Sequence, residues 1–209
     1  KLLAAYGYPK RKDAASKIMG SRLSTMENLV KIKEIEKSFW KDKKVLITGH
    51  TGFKGSWLTI WLNKFGAKVY GISLAPDQKP SLFEKAKISR HCESIICDIR
   101  DYQNTECHIK KINPEIIFHL AAQPLVNEGY INPINTFSTN VMGSINILNI
   151  SRNIDNLRSL IVITTDKVYK NKEWDFPYRE NDELGGSDPY SASKASLEII
   201  INSFRESFF

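Results

Sequence analysis

Residues 45–55 read VLITGHTGFKG, and residues 56–66 continue as SWLTIWLNKFG. Four β-favouring residues, 45–48, run into a loop with glycines at Gly49, Gly52 and Gly55, and a helix pattern follows at once. A strand, a tight glycine turn and a helix N-terminus form a phosphate cradle. Glycine lets the backbone turn and come close to a pyrophosphate, and the free N–H groups at the positive end of the helix favour the anion. The spacing here is GxxGxxG, not GxGxxG, and a glycine triplet alone is a weak signal. The strand before it and the helix after it give it weight.

The same alternation continues along the chain. Strand patterns are expected from Lys68, over 94–99, over 115–122 and over 159–164. Helix patterns lie between them: a short one over 81–88, one over 102–113 ended before Pro114, a long one over 133–153 capped by Asn132, and a last one from Pro189. Gly66 stands as the C-cap of the first. Short apolar strands alternating with helices imply an α/β fold, a doubly wound parallel sheet in the order 3-2-1-4-5. A ligand is then expected at the carboxyl ends of strands one, four and five. The loop at 49–55, the run at 121–124 and the run at 164–167 meet there.

The bulk composition sets limits. At 209 residues and 42% hydrophobic content the chain suits one α/β domain with an added segment. No apolar run reaches bilayer length, so no membrane partner is expected, and the first residues have the wrong order for a secretory signal. Cys92, Cys97 and Cys107 have no paired spacing, which points to a reducing, cytoplasmic compartment without structural zinc. The net charge of +7 suggests nucleic acid until it is located. Residues 1–44 hold 12 Lys/Arg against 5 Asp/Glu, and residues 45–209 hold 18 of each. The excess therefore lies ahead of the first strand, and no nucleic-acid partner is expected of the body. The division is residues 1–40 as a basic extension and 41–209 as the globular domain. Leu29, Ile32, Ile35 and Phe39 give the end of the extension near-helical spacing.

Two further patterns carry chemistry. Tyr190 and Lys194 are four apart and share a helix face. An ammonium beside a phenol lowers the phenol's pKa from about 10 and readies it to take a proton from an alcohol. Alone, Tyr-x-x-x-Lys is commonly surface decoration. Thr164, Thr165, Asp166 and Lys167 end strand five with hydroxyls, an acid and a base, where the plain alternative is a polar turn. His119, among apolar neighbours, is expected to be a satisfied core histidine, and His50 to shape the glycine turn. No second ligand stands near either, so no metal is expected.

Together these features resemble the extended short-chain dehydrogenase/reductase family. The wording FWKDKKVLITGHTGFKGSWL, PSLFE, DIRD, PEIIFHLAAQPLV, STNVMG, TTDKVY, YRENDELGG and DPYSASK, over about 38–209, resembles its CDP-glucose 4,6-dehydratase branch. The resemblance implies a bound NAD that is recycled and CDP-glucose, a nucleotide sugar, as substrate. It implies that Tyr190 takes the C4 hydroxyl proton, aided by Lys194, with Thr165 bonding the same oxygen. Lys167 fits the base for the C5 proton and Asp166 the acid for the departing C6 hydroxyl. A lysine base would need its pKa lowered by burial or nearby cations. Gly49, Gly52, Phe53 and Gly55 match the pyrophosphate loop. Asp98 and Ile99 match the adenine contact, and Leu120, Ala121 and Ala122 the strand-four contacts, with Tyr190 and Lys194 also beside the cofactor.

Three departures are visible. Asn127, Glu128 and Gly129 stand where the family usually has an arginine after PLV, and Thr165 stands where serine is frequent. Strand two ends without the acidic residue expected for an NAD ribose, and no arginine there favours NADP. Family members also continue past the Tyr–Lys helix into a substrate domain, so the expectation is a cofactor half with that domain absent. They pair through the long helices, which makes a homodimer or larger homo-oligomer the expected assembly. Two other readings stay open: an epimerase or reductase of the same fold, and a non-catalytic NAD-binding module. Asp166 and Lys167 argue against simple epimerisation, which needs no acid–base pair for water loss.

Overall fold

The computed structural model describes residues 38–77 and 79–209. The basic extension and the amphipathic helix expected from Met26 lie outside the described residues, except for residues 38–40, which are helical. From Trp40 to Phe209 the chain is one compact unit.

The sheet has strands β1 (Lys44–Thr48), β2 (Lys68–Ser73), β3 (Glu93–Ile96), β4 (Ile116–His119) and β5 (Ser159–Val162). They are parallel, in the order β3-β2-β1-β4-β5, as the alternation predicts. Strands three, four and five are shorter than expected, and 97–99, 120–122 and 163–164 lie beyond their carboxyl ends. In register, Thr48 faces His119 and His119 faces Val162, so the three carboxyl ends are level.

Alternating strand residues feed two cores. Leu46, Ile72 and Ile117 point to one face, where Ile109 and Ile112 of α3 (Tyr102–Ile112) and Ile147 and Ile150 of α6 (Gly143–Ser151) cover them. Val45, Ile47, Val69 and Ile116 point to the other, where Leu62 of α1 (Phe53–Lys64) packs. Helix α1 stops as its sequence predicts. Gly66 takes φ +87°, its N–H bonds Asn63 O, and Ala67 N–H bonds Leu62 O. This pair of bonds satisfies the last carbonyls and brings Leu62 and Ala67 together in the core.

Two stretches differ from expectation. The long helix starts at Asn132 and Pro133 but is not uniform: α5 (Pro133–Phe137) leads through a π-turn (Ser138–Met142) into α6. The wide turn holds Asn140, fully buried, which accepts from Gln123 N and donates to Gln123 O and Ser193 Oγ. Satisfying those buried groups overrides the regular repeat. A helix that the sequence does not announce, α4 (Val126–Ile131), follows β4. It has no side-chain cap and contains Gly129, which removes the usual signals.

Gly71 shows how tightly the sheet is filled. A Cβ there would lie 2.3 Å from the ring of His50. That ring is fully buried, meets Phe83 edge-on, and bonds Ser94 Oγ through Nε2 at 2.7 Å. His50 thus does more than shape the turn: it ties the loop to β2 and β3. Gly71→Ala is expected to cost about 1–3 kcal/mol of stability through overpacking. In a His50→Ala background the cost should largely vanish, read from urea unfolding of both single variants and the double.

Candidate active site

The glycine loop is built against the end of β4. Gly49, at φ +79°, sits so close that a Cβ would come within 2.8 Å of Ala121 N. A Cβ on Gly55 would lie 2.2 Å from Gly49 O, so that position must also be bare for the loop to close. Gly52 differs. It is the N-cap of α1 in extended conformation, and a Cβ there meets only Gly49 O at 3.3 Å. No side chain caps α1 and no acid stands in its first turn. The N–H groups of Phe53, Lys54 and Gly55 therefore face the loop without helical partners. The loop, with small Ala121 and Ala122 beside it, fits an anionic diphosphate.

Behind the loop runs a line of buried hydrogen bonds. Ser144 Oγ donates to Asn140 O at 2.7 Å, so it must accept from Nε2–H of His119 at 2.8 Å. The neutral ring then accepts at Nδ1 from the Thr48 hydroxyl at 2.6 Å, and Thr48 Oγ1 accepts from Ala121 N–H. Burial pushes His119 down to about 3, with the Lys194 charge adding to it. His119 is the satisfied core histidine the sequence suggests. His50 is held at about 4 by burial, which the backbone of Ile72 only partly offsets. Its Nδ1 has no partner of hydrogen-bonding geometry.

Helix α7 (Pro189–Phe208) carries Tyr190 and Lys194. Asp188 caps it by accepting from Ser191 N, and Pro189 is its first residue. Gly129 of α4 packs on its start, where a Cβ would lie 3.3 Å from Tyr190 N. Lys194 is 5% exposed and donates to Ile163 O at 3.2 Å. Burial lowers it to about 8, Glu198 pulling it up and Lys54 pushing it down. It is thus mostly charged at neutral pH.

Beyond β5, Thr165 caps a single turn, Asp166–Val168. Its Oγ1 bonds Asp166 Oδ1 at 3.0 Å and accepts from Lys167 N. Asp166 and Lys167 are exposed and line an open cleft of about 1030 Å³, shared with Tyr169, Tyr178, Asp188 and Ser191. Burial, one of the two sources expected to ready a lysine base, is absent at Lys167 in these residues. Tyr190 and Lys194 are not in the cleft wall, which ends at Ser191.

Asp98 and Ile99 lie past β3, but neither side chain is free. Asp98 accepts from Arg100 N, Nε and Nη2, which keeps its carboxyl below the usual range. The Ile99 side chain is core, against the bare face of Gly143. Leu120 N bonds Thr48 O, keeping that run level with the loop. At the end of β2, where an acid was sought, Ser73 Oγ and Thr51 Oγ1 bond at 2.6 Å. Asn140 stands in the quoted STNVMG stretch, but no periodicity marks a buried asparagine as a bridge. Its donation to Ser193, whose hydroxyl donates to Tyr190 O, links the line of bonds to the Tyr–Lys helix.

A family model described as GDP-mannose 4,6 dehydratase matches residues 46–209. The chain belongs to this family. CDP-glucose 4,6-dehydratase of Salmonella typhimurium is 49% identical over 175 residues, 84% of this chain and 49% of that protein. dTDP-D-glucose 4,6-dehydratase of Dictyostelium discoideum is 27% identical, over 79% of this chain and 41% of that protein. Among solved structures, UDP-glucose 4-epimerase of Thermotoga maritima with UDP-glucose has a TM-score of 0.70 at 26% identity, over 78% of this chain and 52% of that one. The chain spans about half the length of the curated relatives it matches. No helix among the described residues is long and apolar enough to cross a membrane, and no metal-binding cluster occurs among them.

Two measurements follow from the geometry. Gly52→Ala should leave the urea midpoint nearly unchanged and act only on an anionic diphosphate at the loop, with NAD as the probe, whereas Gly55→Ala should lower the midpoint itself. His50 and His119 stay neutral in the fold, while the unfolded chain binds protons below 6.5. The stability these two histidines contribute is therefore full above pH 6.5 and falls as pH drops toward 4, with protons taken up on unfolding. A urea series from pH 7 to pH 4 should show this loss, and an unchanged midpoint would contradict it.

Proposed function

We propose that the protein is an NAD-dependent 4,6-dehydratase of a nucleotide sugar, with CDP-glucose as substrate and CDP-4-keto-6-deoxyglucose as product. The observation that carries this reading is the Asp166 and Lys167 turn at the carboxyl end of β5, tethered beside the helix of Tyr190 and Lys194. An acid–base pair beside a Tyr–Lys pair suits water loss coupled to alcohol oxidation. The 49% identity to the Salmonella dehydratase supports the same choice of sugar nucleotide.

Gly49, Gly52, Phe53 and Gly55 would hold the cofactor's diphosphate, and Ala121 and Ala122 leave room along strand four. When bound, NAD would supply the hydride acceptor for C4 and the hydride donor for C6. Tyr190 takes the C4 hydroxyl proton, with charged Lys194 stabilising the phenolate. Thr165 donates to the same oxygen once its hydroxyl turns from Asp166 Oδ1, which it bonds here. The new ketone acidifies the C5 proton, which is why oxidation comes first. Lys167 removes that proton, Asp166 protonates the departing C6 hydroxyl, and Lys167 gives its proton back to C5 as hydride arrives at C6. For Lys167 to act as base, the bound sugar must shield it from water, since it is exposed here. Ser73 and Thr51 at the end of β2 offer hydroxyls, not an acid, to the ribose. The reading treats 41–209 as the NAD-binding Rossmann domain. It also includes a cytoplasmic setting, supported by free Cys92, Cys97 and Cys107. Exposed Ile134, Met142 and Ile199 on α5, the π-turn and α7 support a homodimer through those helices.

With NAD and CDP-glucose, the protein should yield the alkali-induced absorbance of a 4-keto sugar. No product, with NAD bound, would leave the NAD-binding module reading. Lys167→Met should cut product formation about 10²–10⁴-fold while reduced nicotinamide still accumulates. Undiminished turnover would remove Lys167 as the base.

A further inference from the structure

Helix α7 presents three polar side chains one turn apart: Tyr190, Lys194 and Glu198. The third has no part in the mechanism above. Glu198 is half-buried, and its Oε1 accepts from the Thr164 hydroxyl at 2.5 Å. One turn earlier, Lys194 Nζ donates to Ile163 O. Consecutive residues past β5 are therefore each tied to α7, and the next residue, Thr165, opens the Asp166–Val168 turn. On its far side the turn is held by Gly185 N to Val168 O and Lys170 N to Glu183 O. The Ile163 N–H still bonds His119 O at 3.0 Å, but β4 ends at His119 and gives 164–165 no ladder partner among the described residues. Side chains of α7 replace the ladder there.

We propose that Glu198 is a positioning residue: by gripping Thr164 it fixes the acid–base turn of Asp166 and Lys167 against the helix that carries Tyr190 and Lys194. The proposal rests on the dehydratase reading for its catalytic consequence, but the grip itself does not. Glu198 also acts electrostatically. Besides the Tyr190 phenol one turn away, three charged or titratable groups among the described residues bear on Lys194: Glu198 on its own helix, Lys54 on α1 and His119 on β4. His119 stays neutral, so Glu198 is the negative charge that offsets burial and Lys54. Removing that charge lets Lys194 lose its proton at lower pH.

Three variants separate the two roles. Glu198→Gln keeps an oxygen for the Thr164 hydroxyl but loses the charge. Glu198→Ala and Thr164→Val lose the bond. In Glu198→Ala and Thr164→Val, amide exchange at Val168 and Tyr169 should quicken about tenfold, with Glu198→Gln close to the parent. Unchanged exchange in both would overturn the grip whether or not the protein is a dehydratase. With CDP-glucose and NAD, the same two variants should lose about tenfold in water elimination relative to C4 oxidation. Glu198→Gln should keep that ratio and shift only the alkaline limb of kcat/KM to lower pH. Faster exchange with an unchanged ratio would overturn the catalytic consequence. Faster exchange in a parent that makes no 4-keto sugar would leave the grip standing and fail the dehydratase reading.

Discussion

The contact on which the rest depends is the approach of Gly49 to Ala121, where β1 and β4 reach their carboxyl ends together. Backbone meets backbone there, with no room for a Cβ. That closeness lets the Thr48 hydroxyl serve two masters, accepting from Ala121 N–H and donating to His119. His119 then passes the order on through Ser144 and Asn140 to Ser193 and the carbonyl of Tyr190. The glycine loop and the Tyr–Lys helix are separated by some 140 positions of sequence. They are nonetheless joined by one line of buried, fully directional hydrogen bonds. Such a network is costly if any member is unsatisfied, and it specifies one arrangement when all are.

Lys194 bears a cost of the opposite kind. Its ammonium sits almost out of water with one carbonyl bond and no ion pair within contact distance among the described residues. Holding it at about 8 instead of 10.5 costs about 3 kcal/mol at neutral pH. The fold bears that cost at the place where a charge beside a phenol is chemically useful. Asp166 and Lys167 follow the other strategy: they stand in solvent on a short turn, and their geometry comes from tethers on both sides.

Most of the fold was legible because it rests on signals that stay local. Strand and helix patterns alternate, glycines stand where φ is positive or space is lacking, and Asn132 and Gly66 cap as their chemistry suggests. The sheet order followed from the alternation of strands and helices together with right-handed crossovers in a doubly wound sheet. What could not be read were features set by distant partners. The π-turn exists because Asn140 must satisfy Gln123 and Ser193. Helix α4 has no cap and carries a glycine whose reason is the start of α7. His50 looks like a turn residue until its ring is found against Gly71. At the site, the residue types were legible as a set, and their engagements were not. Asp98 is already held by Arg100, and Glu198 reaches Thr164 across 34 positions.

The central claim is that this arrangement oxidises C4, expels water across C5 and C6, and reduces C6 within one site. The most direct measurement follows a label: CDP-glucose carrying deuterium at C4, turned over with NAD in ordinary water. The account predicts deuterium at C6 of a 4-keto-6-deoxy product. Deuterium found again at C4 in an inverted sugar, or lost to solvent, would contradict it.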